Sequence, residues 1–182
     1  MQVGLIGTVL LTYTGSRLRA GIIAETEAYA GATDRASHAF SDRKTKRTAS
    51  MFLEGGHSYV YLCYGMHKLF NIVTNETRIP HAVLVRGILP LDEKYIQADY
   101  LSIYSKLNKS LNGPAKLTKA LGIDLEHDRL LLNNSEIWLF EKVEPELPEI
   151  IAAPRVGVDY AGEDAKLFYR FYRADYRPVK PI

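Results

Sequence analysis

Residues 18–29 read LRAGIIAETEAY, and this stretch sets the kind of domain the chain builds. A strand sends alternate side chains to opposite faces, so Ile23, Glu25, Glu27 and Tyr29 point one way. Upstream, residues 8–13 (TVLLTY) are a second β-rich run, and Thr14-Gly15-Ser16 reads as the turn that joins the two. Residues 58–64, 71–74, 82–88 and 136–140 are further strand candidates, rich in β-branched and aromatic side chains. Over 91–107, Tyr95, Ile96, Tyr100, Ile103, Tyr104 and Leu107 recur at helical spacing and predict an amphipathic helix. Residues 114–121 predict a short helix with Pro114 first and Gly122 as its stop. Hairpin-joined strands with inserted helices imply a mainly antiparallel α+β domain; there is no βαβ rhythm and no Gly-rich phosphate loop.

The chain has 182 residues, a length that suits one domain spanning 1–182, and no repeat or linker divides it. Hydrophobic residues at 47% and charged residues at 24% are those of an ordinary globular protein. One cysteine, Cys63, excludes a disulfide framework and thiolate zinc sites. No metal and no cofactor are expected. No apolar run reaches the ~18 residues of a membrane span, and the start lacks a basic head. The expectation is an intracellular, cytoplasmic monomer without membrane attachment. A net charge of +2 hides asymmetry: RKTKR at 43–47, lysines at 106–119 and arginines near the C-terminus oppose an acidic 136–149. Such charge runs read either as wet surface or as one face that meets an anion.

Two segments hold the densest polar chemistry. Glu25 and Glu27 share a face of an otherwise apolar strand. They read as acids in water on an edge strand, or as a carboxylate tuned beside an aromatic wall to activate water. SYVYLCYGMH at 58–67 reads as aromatic core, but its Tyr64-Gly65-Met66 tip also suits a ring projecting as a wedge into an opened duplex.

The ordered blocks GIIAETEAYAGATDRASHA (21–39), RKTKRTASMF (43–52) and SYVYLCYGMHKLFNIVT (58–74) resemble the alkyladenine (3-methyladenine) DNA glycosylase family. AVLVRGILP (82–90), NGPAKLTKALGI (112–123) and PRVGVDYAGED (154–164) continue the likeness in the same order. The implied fold is a single mixed α+β domain with a curved, mainly antiparallel sheet core surrounded by helices. The implied activity is base-excision repair on double-stranded DNA containing damaged purines. An alkylated or deaminated purine is flipped out, its N-glycosidic bond is hydrolysed, and an abasic site is left without a Schiff base.

Residue by residue, the resemblance makes Glu27 the general base and places Arg86 beside it and the attacking water. Tyr29 and Tyr61 match the rings that sandwich the base. His38 matches the third wall and a hydrogen-bond donor, and Asn71 the group that clashes with the 2-amino group of guanine. Tyr64 matches the wedge and Met66 its neighbour at the tip. Arg43, Thr45 and Arg47 keep the family's R-x-T-x-R spacing and, with Lys116, are expected to combine contacts to the DNA backbone with structural roles. Ser41-Asp42 stand where a glycine-containing turn is common, and Thr48, Leu69 and Ala115 also depart from the pattern. The leading segment usual in the family is expected to be short or absent. A lesion-binding protein without catalysis and a nucleoside hydrolase are the competing readings.

Overall fold

The computed structural model describes residues 3–91, 111–133, 136–142, 146 and 148–178. Its centre is the quoted segment, which forms the long strand β2 (Arg17–Tyr29), hairpinned to β1 (Thr8–Thr14). β3 (Ser58–Cys63), β4 (His67–Val73), β5 (Ala82–Leu91) and β7 (Ile137–Lys142) complete a curled sheet ordered β3-β4-β5-β2-β1-β7. The short β6 (Leu111–Asn112) pairs with β5, and β8 (Ile150–Ala153) pairs with β9 (Arg170–Arg173). Every described pairing between these strands is antiparallel. One edge of β2 is divided: β1 pairs with its first half, and β9 with Glu25, Thr26 and Glu27.

Burial on both faces explains why β2 has no solvated side. Ile23 joins Leu10, Val85 and Ile88 in a cluster capped by Leu117 and Leu121 of α1 (Pro114–Leu121). Ile22 and Ala24 join Val9, Leu11, Leu89 and Tyr176 on the other side. Each fully buried Ile or Leu contributes about 1.5–3 kcal/mol, so sliding β2 by one residue would exchange both cores at once. Glu25 and Glu27 therefore lie in the interior, and the edge-strand reading is overturned.

The β2–β5 ladder slips by one residue at Glu25–Gly87 and regains its register at Thr26–Val85. Such bulges re-aim side chains and are frequent beside active sites. Gly87 is needed here because a Cβ would run into the Tyr176 hydroxyl.

The helix predicted over 91–107 lies outside the described residues except Leu91, which ends β5. α1 begins at Pro114 and stops at a left-handed Gly122, as the sequence predicts. β4 starts four residues before the predicted 71–74, because pairing with β3 carries it back to the turn. β3 ends at Cys63, where Tyr64 takes a left-handed φ of 50°. β6, β8 and β9 have two to four residues, too short for any periodicity to reveal.

Candidate active site

A cleft of about 410 Å³ opens between the ends of β2, β3 and β5 and the segment that follows β8. Beneath its floor, behind the lining residues Tyr29 and Arg86, is Glu27, 0% exposed, with donors from three elements around its carboxylate. The Tyr29 hydroxyl donates to Oε2 at 2.9 Å and the Val156 amide to Oε1 at 2.7 Å. Arg86 Nε, from β5, lies 3.4 Å from the same Oε1. Burial first, then the nearby Glu27 and Tyr61, hold the Tyr29 phenol well above its usual range, so it stays a donor.

Arg86 also faces Glu25, its Nε 3.3 Å from Glu25 Oε1. Arg170 from β9 approaches that oxygen at 3.6 Å. Glu25 is 1% exposed, and burial lifts its carboxyl above the usual range while Arg86 and Arg170 oppose the rise. Burial disfavours the Arg86 charge, but Glu27 and Glu25 more than offset it and hold the guanidinium above its ordinary value. The floor is thus two carboxylates and two guanidinium groups, a balanced set that can be taken out of water.

The walls come from β3 and the segment after β2. The Tyr59 and Tyr61 rings lie 5.2 Å apart, tilted by 30°, and His38 meets the Tyr61 ring edge-on at 4.8 Å. Arg47 Nη2 lies 3.2 Å from His38 Nε2, and a guanidinium can only donate, so Nε2 accepts. The proton then sits on Nδ1, 3.0 Å from the Tyr59 hydroxyl. Burial, reinforced by Arg47 and Arg43, lowers His38 to about 4 and keeps it neutral at physiological pH. Asn71, buried at the cleft wall, donates from Nδ2 to the Tyr59 carbonyl.

The DNA-facing candidates separate into distinct settings. Tyr64 and Met66 stand out at the β3–β4 tip, 89% and 67% exposed. The Met66 amide closes the turn on the Cys63 carbonyl, with left-handed φ of 50° at Tyr64 and 69° at Gly65. An aromatic residue is rare in that conformation, which Asn or Gly adopts more readily. Arg47 lies over the Tyr61 ring at 4.6 Å, inside the cleft mouth. Thr45 is exposed, its hydroxyl and amide bonded to the buried Thr48. Arg43 and Lys116 are exposed, Lys116 on the first turn of α1. Ser41 and Asp42, at the departure from the glycine-containing turn, both take left-handed φ of 56°.

Sequence reasoning missed the clamp that holds Val156. Arg155 is buried in a two-pronged pair with Asp34 and also donates to the carbonyls of Ala28 and Asp164. Its guanidinium lies 4.9 Å from the Tyr29 ring centre and 5.2 Å from that of Tyr169. Asp34 and Arg155 both fall inside the quoted blocks, but nothing in the spacing says that they pair across 121 residues. Arg170 was read only as one of the basic residues near the C-terminus, and nothing singled out Tyr176. Among the described residues, no three His, Cys, Asp or Glu side chains converge to hold a metal. None of the described helices is long and apolar enough to cross a membrane.

Comparison with known proteins gives this geometry its setting. The chain is 44% identical over 175 residues to a Bdellovibrio bacteriovorus protein, covering 94% of this chain and 88% of that one. It is 42% identical over 168 residues to one from Chlamydia abortus (92% and 87%) and 39% over 179 to one from Bacillus cereus (92% and 86%). All three bear the name "Putative 3-methyladenine DNA glycosylase". Fold, site and these likenesses define a class: a hydrolase of DNA repair, a DNA glycosylase for alkylated bases. More particularly, the family model described as "Methylpurine-DNA glycosylase (MPG)" matches residues 3–177, and the chain belongs to that family.

Proposed function

We propose that this chain is a monofunctional, purine-specific glycosylase that acts as a monomer on duplex DNA inside the cell. An alkylated or deaminated purine leaves the helix and enters the cleft between Tyr29 and Tyr61. Glu27 takes a proton from a water, whose oxygen bonds to C1′ of the flipped nucleotide as the C1′–N bond breaks. The bond's electrons leave with the base, which a positive charge or a proton makes a better leaving group. Positive charge that develops on the sugar is stabilised by the same carboxylate.

The observation that carries this reading is the Glu27 carboxylate, fully buried just beneath an aromatic cleft, behind its lining residues Tyr29 and Arg86, and oriented by Tyr29, Val156 and Arg86. A fixed carboxylate within reach of a planar ligand is what general-base attack on a sugar carbon requires. No lysine is among the described residues that line the cleft, which supports water rather than an amine as the nucleophile. Aromatic faces favour a cationic methylpurine by roughly 0.5–2 kcal/mol. Tyr64 supports the opened duplex as a wedge, with Met66 beside it, while Arg43, Arg47 and Lys116 meet phosphates. Asn71 excludes guanine by crowding its 2-amino group.

The test is incubation with duplexes carrying 3-methyladenine or hypoxanthine. Abasic sites formed with free base released, and no strand cleavage, are the expected result. Tight binding without abasic sites would indicate a lesion binder, and cleavage of nucleosides but not duplexes a nucleoside hydrolase.

A further inference from the structure

The reaction as proposed uses Glu27 and Arg86, and it leaves unexplained why a second carboxylate is buried beside them. We propose that Glu25 is a positioning residue: it holds Arg86 shared between two carboxylates and so keeps Glu27 from closing a one-to-one ion pair. This inference rests on reading Glu27 as the water-activating base.

Arg86 Nε carries a single hydrogen, which it donates to Glu25 Oε1 at 3.3 Å, while Glu27 Oε1 stands 3.4 Å from the same nitrogen. Both distances exceed the ~2.7–2.9 Å of a committed charge-assisted bond. The one-residue slip at Glu25–Gly87 is where β5 delivers Arg86 between them. On the Glu25 side, Arg170 adds a second guanidinium at 3.6 Å, with neither its Nε nor its Nη1 in a hydrogen bond. The Tyr176 hydroxyl faces Glu25 as well, in the space that Gly87 leaves open. On the Glu27 side, Arg86 is the one cation within ion-pair distance among the described residues. The Tyr29 hydroxyl and the Val156 amide supply its neutral donors. Arg155, Tyr61 and Tyr160 act on Glu27 through space, and Arg155 is already neutralised by Asp34.

The division of Arg86 has a chemical consequence. A carboxylate that owns a guanidinium outright is a poorer proton acceptor, because the charged form is stabilised. Glu25 draws Arg86 away and adds its own negative charge beside Glu27, and both effects keep Glu27 a competent base. Replacing Glu25 by a neutral group hands Arg86 to Glu27 and removes the repulsion. The acid limb of the rate profile then moves to lower pH and the plateau falls.

The experiment is single-turnover base release from a duplex carrying one 7-methylguanine, followed across the acid and neutral range. Glu25→Gln should lower the plateau about tenfold and move the acid midpoint down by about one pH unit, with lesion-duplex affinity kept within about twofold. Glu25→Asp, which keeps the charge, should restore both. A folded Glu25→Gln protein with an unmoved midpoint overturns the proposal. If that variant does not fold, the charge-balanced pair Glu25→Gln with Arg170→Gln leaves Arg86 and Glu27 alone together. It should show the same downward movement, and an unmoved midpoint there overturns the proposal equally. Full activity in Glu27→Gln would instead sink the reading of Glu27 itself. An inactive Glu27→Gln beside an unmoved Glu25→Gln midpoint would sink only the role of Glu25.

Discussion

The cleft floor and the β3–β4 tip are built by opposite means. At the floor, Glu25, Glu27, Arg86 and Arg170 are all under 9% exposed, and their charges are fixed by contacts from three strands and the Val156 segment. At the tip, Tyr64 touches little and sits in a left-handed conformation that costs about 1–2 kcal/mol. The floor spends its stability on desolvated charge that neighbours hold in place. The tip spends it on backbone strain that keeps a ring in water. In the proposed function the difference has a reason: bond breaking needs groups preset to a fraction of an ångström, whereas opening a duplex needs a group free to insert.

The most severe way to break this contrast is at Glu27. Glu27→Gln keeps the shape and the neutral donors, so lesion-duplex affinity should persist while single-turnover base release falls about a thousandfold. Near-normal rates would remove the chemistry from the floor altogether. Next is the clamp behind it. Asp34→Asn leaves Arg155 buried without its countercharge and should cost about 3–5 kcal/mol in denaturant unfolding, with base release falling as Val156 loosens. A loss under about 1 kcal/mol would show that the Val156 amide is held by other means.

The tip should respond with opposite signs. Tyr64→Asn puts an Asn-Gly pair where both φ angles are positive, and should stabilise the fold by about 1 kcal/mol. The same change should weaken duplex binding about tenfold and leave base release from single strands intact. A variant that is more stable and binds equally well would mean that the strain serves nothing at the DNA.

The smallest effect is expected at His38. Its folded-state value near 4 lies below the unfolded 6.5, so between the two the unfolded chain binds the extra proton. Stability from this group is therefore complete above about 6.5 and lost as pH falls toward 4. The loss should be of order 1 kcal/mol after allowance for solvent at the cleft mouth. Denaturant midpoints of the wild type and His38→Gln should diverge in that window alone; parallel curves would mean that His38 is not held neutral.

Much of this was legible before any coordinates. The ETEAY and YVY…YGM blocks carry Glu27, Tyr29, Tyr61 and Tyr64 in order, and the structure lines the cleft with all but Glu27, whose carboxylate is reached from it through Tyr29 and Arg86. The hairpin and α1 followed from turn and cap residues that act locally, on neighbours in sequence. Glu25 stayed ambiguous because alternation says which face a side chain takes but not whether that face is wet. Arg170 was legible only as one of the basic residues near the C-terminus and not as a neighbour of Glu25, since a four-residue strand has no period and its partner lies 145 positions away. Arg47 came from the resemblance as a phosphate contact with a structural role, and spacing could not say that its guanidinium lies over Tyr61.

By itself, then, the sequence determined the antiparallel α+β plan, the family resemblance and the identity of most groups in the cleft. These depend on short-range rules: side-chain alternation, turn chemistry and the order of motifs along the chain. Only the tertiary structure decided how charge is distributed at the floor. Both faces of β2 had to be covered, β9 had to pair with its far half, and the ladder had to slip at Gly87 before two acids could share one arginine. Electrostatics depends on distance and on exclusion of water, and neither is written in neighbouring letters.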